Sequence, residues 1–273
     1  MRKLGVGGWV GFLIMLVISL LAFYPFYSMI MMSTYNSNEL YTGIKLYPGN
    51  YLAENFKTLF SIDFLGYYKN SLIVAISTTV LGVLVSAAAG FAFGKYEFRF
   101  KNILFVSVLV TMMIPMQFGI VAFVLEMRWL GWLDTLLPLI IPPAANALGV
   151  FWMTQFARST IPTEVLESAR IDGCGETGIF FKIVIPFLRP AFVTLGLLFF
   201  LWSWNNFFVP LIVLSSDSLY TIPLGIRGLA GQFRADNAAQ ILGLTVGTIP
   251  VLIFFGFFSK NLMEGLASSA VKG

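Results

Sequence analysis

The sequence predicts an all-α integral membrane protein: six transmembrane helices, with a cytoplasmic helical loop between the fourth and the fifth. Three observations predict it. Only 11% of the 273 residues are charged, against 58% hydrophobic, and mean hydropathy is +0.85; a soluble domain keeps roughly 25% charged residues. Six runs contain no Asp, Glu, Lys or Arg: 9–32, 70–93, 102–125, 136–156, 190–213 and 239–259, each 21 to 24 residues long. About 20 helical residues cross a hydrocarbon core, whereas strands of outer-membrane barrels alternate in polarity over about 10. Finally, the basic residues divide unequally between the two faces that six crossings create: eleven accompany the termini and the 94–101 and 157–189 loops, and six lie opposite. Lys and Arg accumulate in cytoplasmic loops, so both termini and the 157–189 loop are expected in the cytoplasm.

Each element follows in order. Met1-Arg2-Lys3 precedes the first run like the start of a signal peptide, but the run is too long and no small-x-small cleavage site follows, so an uncleaved helix is expected. The segment 33–69 is polar and Tyr-rich, with Pro48-Gly49 as a turn signal. The loop "GKYEFRFK" at 94–101, after the second run, carries the sharpest local basic excess. Pro25, Pro115, Pro138, Pro142, Pro143, Pro190, Pro210 and Pro250 lie in or beside the runs. An interior proline removes a backbone bond and bends its helix; this fits ordinary bundle packing or helices bent around a path. Met112, Met113 and Met116 beside Pro115 suit packing or an adjustable gate. The outer stretch 214–238 separates the last two runs. Neither outer segment is large enough for a separate domain, and residues 1–273 are expected to form one.

Several chemistries are poorly supplied. The six runs hold no ionisable acid or base for a proton relay. Histidine is absent and Cys174 is the sole cysteine, so neither an intramolecular disulfide nor a metal site is expected. No phosphate-binding loop motif occurs, no catalytic residue is assigned, and the charge distribution calls for no nucleic-acid partner.

One stretch stands out. "ESARIDGCGETGIFFKIVIP" at 167–186 is polar and glycine-punctuated between apolar runs. Thr163 is a helix N-cap candidate, and Glu164 and Glu167 suit the early turns where the dipole favours acids. Gly173 ends this short helix; a second resumes with Ile179, Phe180, Ile183 and Val184, and Pro186 turns the chain back to the membrane. Periodicity by itself also fits an amphipathic loop lying on the bilayer.

The spacing of Glu167-Ser168-Ala169, Gly173, and Ile183-Val184-Ile185-Pro186 resembles the Glu-Ala-Ala-x3-Gly-x9-Ile-x-Leu-Pro motif of permease subunits of ATP-binding-cassette importers, with Ser168 for the first Ala and Ile185 for Leu. Asp172-Gly173, Pro190, "YKNSLIVAISTT" at 68–79, "LGWLDTLLPLIIP" at 130–142, "WNNFFVPLIVLSS" at 204–216 and the ending "EGLASSAVKG" resemble the shorter, maltose-transporter-type permease of the carbohydrate branch. The resemblance implies a bacterial or archaeal cytoplasmic-membrane subunit that imports a sugar or oligosaccharide by alternating access. It implies a second homologous permease, two cytoplasmic subunits that bind ATP and Mg, and an extracytoplasmic solute-binding protein, with no cofactor on this chain. Glu167, Ser168, Ala169, Asp172, Gly173, Ile183 and Pro186 would then couple to the ATPase. Leu166, Ile171 and Phe180 would fill its groove. A polyol or glycerol-phosphate-like solute suits the same branch; a membrane-embedded transferase would need an acid cluster that is not found.

For the path itself, Trp202, Asn205 and Asn206 lie in the fifth helix, three and four residues apart, and so share one face. A ring can stack on a sugar and amides can bond its hydroxyls; asparagine equally serves as glue between helices.

Overall fold

The computed structural model describes residues 6–229 and 236–270; Arg2, Lys3, Arg234 and Lys272 of the charge count lie outside them. The described residues are helical, without strands. In order these are α1 (Val6–Met32), α2 (Leu52–Leu59), α3 (Phe64–Lys95), α4 (Lys101–Thr111), α5 (Ile120–Trp129), α6 (Leu137–Ala144), α7 (Ala147–Thr160), α8 (Thr163–Ile171), α9 (Glu176–Ile179), α10 (Ile185–Trp204), α11 (Phe208–Val213), α12 (Ile222–Gly225) and α13 (Asn237–Ala270). Five stretches among the described residues are long and apolar enough to cross a bilayer: Gly7–Met32, Phe64–Lys95, Leu137–Thr160, Glu176–Trp204 and Asn237–Phe257.

The third apolar run, 102–125, is not one helix. It divides into α4 and α5, with Met112 to Ile114 closing on tightened bonds to Leu109, Val110 and Thr111 carbonyls. Pro115 adopts an extended conformation (φ −60°, ψ 130°); it offers no amide hydrogen and disfavours helix at the residue before it. Met112 and Met113 are exposed there. The fourth span also breaks, after α6. Asn146 is extended, and its side chain accepts from the Gly149 amide at 3.2 Å, capping α7. The fifth expected run, 190–213, begins earlier and ends earlier: a helical rod runs from Glu176 through a π-helical turn at Phe180–Val184 into α10. The second half of the expected 157–189 loop is therefore the foot of that span.

The chain divides into two compact units. The first comprises residues up to Leu65 together with Ile222–Ile249. Here α1 is apolar all round and buries none of its window, as a lipid-facing helix does. The segment after it is tied locally: Asn55 Nδ2 donates to the Ser33 and Tyr35 carbonyls at 2.8 and 2.9 Å, and Thr34 Oγ1 accepts from the Gly49 amide. Asp236 caps α13 by accepting from the Ala239 amide at 3.1 Å, and also receives the Ser37 hydroxyl.

The second unit, Gly66–Thr221 with Pro250–Gly273, holds the core that positions the site. Small residues at Gly82, Ser86, Gly90 and Gly94 recur every four positions along α3 and let two helix backbones meet. A Cβ on Gly90 would stand 2.4 Å from Met153 Cβ and 2.8 Å from the Thr154 nitrogen of α7. A Cβ on Gly149 would stand 2.2 Å from Ser86 Oγ. The α10 residues Leu188, Ala191, Leu195 and Phe199 complete this cluster with Ala87, Phe91, Met153 and Ala157.

Candidate functional site

The polar stretch is a corner built on that core. Pro162 is extended and caps α8 without a side-chain bond, so Thr163 is the first helical residue rather than its cap. Leu166 (1% exposed) and Ala169 face inward and join Ile161, Ile179, Val184 and Leu188 in the core. Glu167, Ser168, Ile171 and Asp172 face out. The helix ends where Gly173 takes φ +80°. The Gly173 amide bonds to the Arg170 carbonyl at 3.0 Å and the Cys174 amide to the Ala169 carbonyl at 2.9 Å. These two bonds are a Schellman closure, which satisfies carbonyls that a helix end otherwise leaves open. Gly173 is required for its backbone angle, not for room: a Cβ there would meet nothing within 4 Å.

Beyond the corner, Gly175 is extended and Glu176 opens α9. Its carboxylate accepts from Arg170 Nε at 2.8 Å and from the Tyr96 hydroxyl, beyond the end of α3. The Arg170 guanidinium also lies over the Tyr96 ring, 5.5 Å from its centre. Burial, then the bond to Glu176, push the Tyr96 phenol above its ordinary range, so it remains a donor at neutral pH.

The expected coupling residues are thus brought to one corner, but not to one face. Glu167, Ser168, Asp172, Gly173 and Pro186 are exposed, whereas Ala169 is buried and Ile183 packs against the core. Of the expected groove-filling residues, Leu166 and Phe180 are core-facing; Ile171 is 86% exposed, and Phe181, at 58%, is the outward aromatic.

Trp202, Asn205 and Asn206 do not share a helix face. The helix stops at Trp204, with Asn205 at its end and α11 starting at Phe208. Asn205 Nδ2 donates to its own helix at the Leu201 carbonyl, 2.8 Å away, and Asn206 Oδ1 accepts from the Val209 amide at 3.2 Å. Both bonds are local, and Trp202 is 49% exposed. No breaker residue marks this end: Gly196 lies inside the unbroken part of the helix, and Pro210 falls after the break, within α11.

A second polar cluster was missed. Asp134, in a left-handed conformation at φ +55°, accepts from the Ser215 and Ser216 amides at 2.9 and 2.8 Å and from the Ser216 hydroxyl. The Ser216 hydroxyl, then the two amides, hold the Asp134 carboxyl below its usual range. On the far side of this segment, Asn70 Nδ2 donates to the Ser218 and Tyr220 carbonyls and Tyr67 donates to Asp217. Partners 81 residues and more apart leave no local signal.

Residues 82–269 match the family described as binding-protein-dependent transport system inner membrane component. The chain belongs to this family. The permease is 35% identical over 267 residues to the arabinooligosaccharides transport system permease protein AraQ of Bacillus subtilis, covering 96% of this chain and 94% of that one. It is 30% identical to the lactose transport system permease protein LacG of Rhizobium radiobacter over 257 residues, covering 93% of each. Its fold matches a chain from the crystal structure of a bacterial ABC transporter involved in the import of the acidic polysaccharide alginate, at a TM-score of 0.81 and 22% identity, covering 95% of this chain and 98% of that one. The permease is a multi-pass membrane transport subunit, and the ATPase of such importers resides on separate subunits.

Proposed function

We propose that the permease lines one half of the path of an importer for a sugar or oligosaccharide, and that the Glu167–Pro186 corner docks it to an ATPase subunit. The observation that carries the docking role is the corner's two-sidedness. Leu166, Ala169, Ile179 and Val184 root it in the core, while Glu167, Ile171, Asp172 and Phe181 are presented outward. A water-facing loop gains nothing from exposing Ile171 at 86%; an apolar knob flanked by carboxylates suits an apolar groove with a basic rim. The carbohydrate class is supported by the arabino-oligosaccharide and lactose systems named for two relatives.

The assembly contains a second, homologous permease, two ATPase subunits that bind ATP with Mg, and an extracytoplasmic solute-binding protein. Closure of the ATPases on ATP pushes on the corner and moves its core as a body, exchanging inward-open and outward-open forms. Residues 1–273 act as one transmembrane domain with both termini in the cytoplasm, the broken α4–α5 segment making the sixth crossing. Trp202 stays a candidate for sugar contact, since an exposed ring needs no amide beside it to stack; Asn205 and Asn206 hold the bend that presents it.

The experiment is co-purification of the ATPase subunit with variants at the corner. Ile171→Asp and Glu167→Lys reduce recovery of the ATPase while the permease remains in the membrane. The same reversal at Glu54, far from the corner in sequence, leaves recovery intact. Full recovery with both corner variants would mean that this corner is a surface connector only.

A further inference from the structure

The corner's outward face explains what it touches but not what fixes its angle. Its apolar roots lie on one side only, and the backbone between α8 and α9 is a four-residue link, Asp172 to Gly175, containing two glycines. The Schellman closure holds the first half of this link, at Gly173 and Cys174; the extended Gly175 beyond it is held by what spans to Glu176. Glu176 is the one carboxylate on the corner that receives side-chain donors from two other segments: Arg170 Nε at 2.8 Å and Nη2 at 3.5 Å from within α8, and the Tyr96 hydroxyl from beyond the end of α3. Tyr96 is itself fixed. Its ring packs edge-on against Phe91 at 5.0 Å, its amide bonds back to Ala92, and its carbonyl receives Lys101 Nζ at 2.8 Å. Phe91 in turn lies against Phe180 at the start of the π-helical turn. The polar clasp and the aromatic row therefore join the same two places, the foot of α3 and the base of the α10 rod.

We propose that Tyr96, Glu176 and Arg170 are positioning residues for energy coupling: meeting on the Glu176 carboxylate, they lock the corner to the foot of α3, so that a push on the corner moves α3 with it. This rests on the docking role proposed above. None of the three touches substrate or nucleotide; they act through the angle of α8. Without the clasp the corner still docks, because its outward face is intact, but it swivels at Gly175 and the push is absorbed there.

The test uses the whole importer, reconstituted in liposomes in a Cys174→Ser background. Spin labels at Glu164 and Arg99 report the distance between α8 and the loop after α3. It is measured without nucleotide and with ADP–vanadate trapped on the ATPase subunits. In the otherwise unaltered permease the distance distribution is a single narrow population in both states. Tyr96→Phe and Glu176→Ala retain the ATPase subunit, yet acquire a second, longer population on trapping; Glu176→Gln, which keeps one acceptor, is intermediate. Lys182→Gln, exposed and outside the clasp, leaves the distribution unaltered. A distribution that already shifts on trapping in the unaltered permease, or one that stays narrow in Tyr96→Phe and Glu176→Ala, overturns the proposal. Loss of the ATPase subunit from both clasp variants also overturns it, because the clasp would then hold the corner together rather than aim it. Failure of the docking role is seen separately, as full ATPase recovery with Ile171→Asp.

Discussion

At the scale of single residues, backbone angles and lone carboxylates matter more than side-chain size. Gly173 sits at φ +80° in open space, so the cost of replacing it is conformational: an alanine held left-handed costs about 1–2 kcal/mol. Gly173→Ala therefore lowers the thermal midpoint of the detergent-solubilised permease, and Gly173→Asn lowers it less, since asparagine tolerates this region. Equal midpoints for the two would mean that volume, not φ, is limiting. Asp134 gives a pH expectation. Its folded-state pKa is depressed by three hydrogen bonds, so its stabilisation is complete above the ordinary carboxylate range and is lost only as pH falls through the lower, folded value. The protection factors of the Ser215 and Ser216 amides, measured against the intrinsic exchange rate at each pH, are accordingly unchanged from neutral pH down to that range and fall below it. Asp134→Ala makes exchange fast at neutral pH, while Asp134→Asn, with one acceptor left, is intermediate.

Helices are decided by how closely their backbones approach. The α3–α7 contact needs Gly90, because a single added Cβ meets Met153 and the Thr154 nitrogen inside van der Waals distance. Backbone cannot swing aside as a side chain can, so Gly90→Ala costs about 1–3 kcal/mol despite alanine's better helix propensity. Gly11→Ala, with nothing within 4 Å, is neutral or slightly stabilising in the isolated chain. A thermal melt of both variants checks the contrast; equal midpoints would refute the close approach. The bend after α10 has its own support. Asn206→Ala removes the cap on the Val209 amide, and loss of such a cap costs about 0.5–2 kcal/mol. The same scale shows where pattern reading fails. The run 102–125 has composition and length for one helix, and Pro115 marks its weak point, but proline also sits inside α1, α10 and α13 without ending them. Whether a proline bends a helix or stops it depends on what can satisfy the freed carbonyls, which neighbours in space decide.

The molecule as a whole is a transport subunit whose energy comes from elsewhere. The purified permease alone turns over no ATP; hydrolysis by a preparation free of any second subunit would contradict this. Its orientation is testable by thiol labelling in a Cys174→Ser background. Cysteines at Lys101 or Lys182 resist an impermeant reagent in intact cells, whereas cysteines at Gly49 or Asp217 react; the reverse pattern would invert the assignment of the corner to the cytoplasm.

What the sequence determined by itself is whatever depends on local composition and spacing. Charge-free runs marked the five stretches long enough to cross a bilayer, because lipid excludes charge wherever the chain lies within it, though the fourth run is interrupted after α6 and the fifth span covers Glu176–Trp204 rather than 190–213. The 167–186 spacing located the corner, because a helix end that must turn sharply needs a residue such as Gly173 at one fixed place. Tertiary structure decided which side chains face out. Leu166 and Ile171 are both apolar and only five apart, and periodicity cannot say that one is a root and the other a knob until the core under α8 is in place. It also decided the pairings of Tyr96 with Glu176 and of Asp134 with Ser215 and Ser216, 80 or more residues apart. A hydrogen bond needs donor and acceptor within about 3 Å, and only the packed helices bring such distant residues that close.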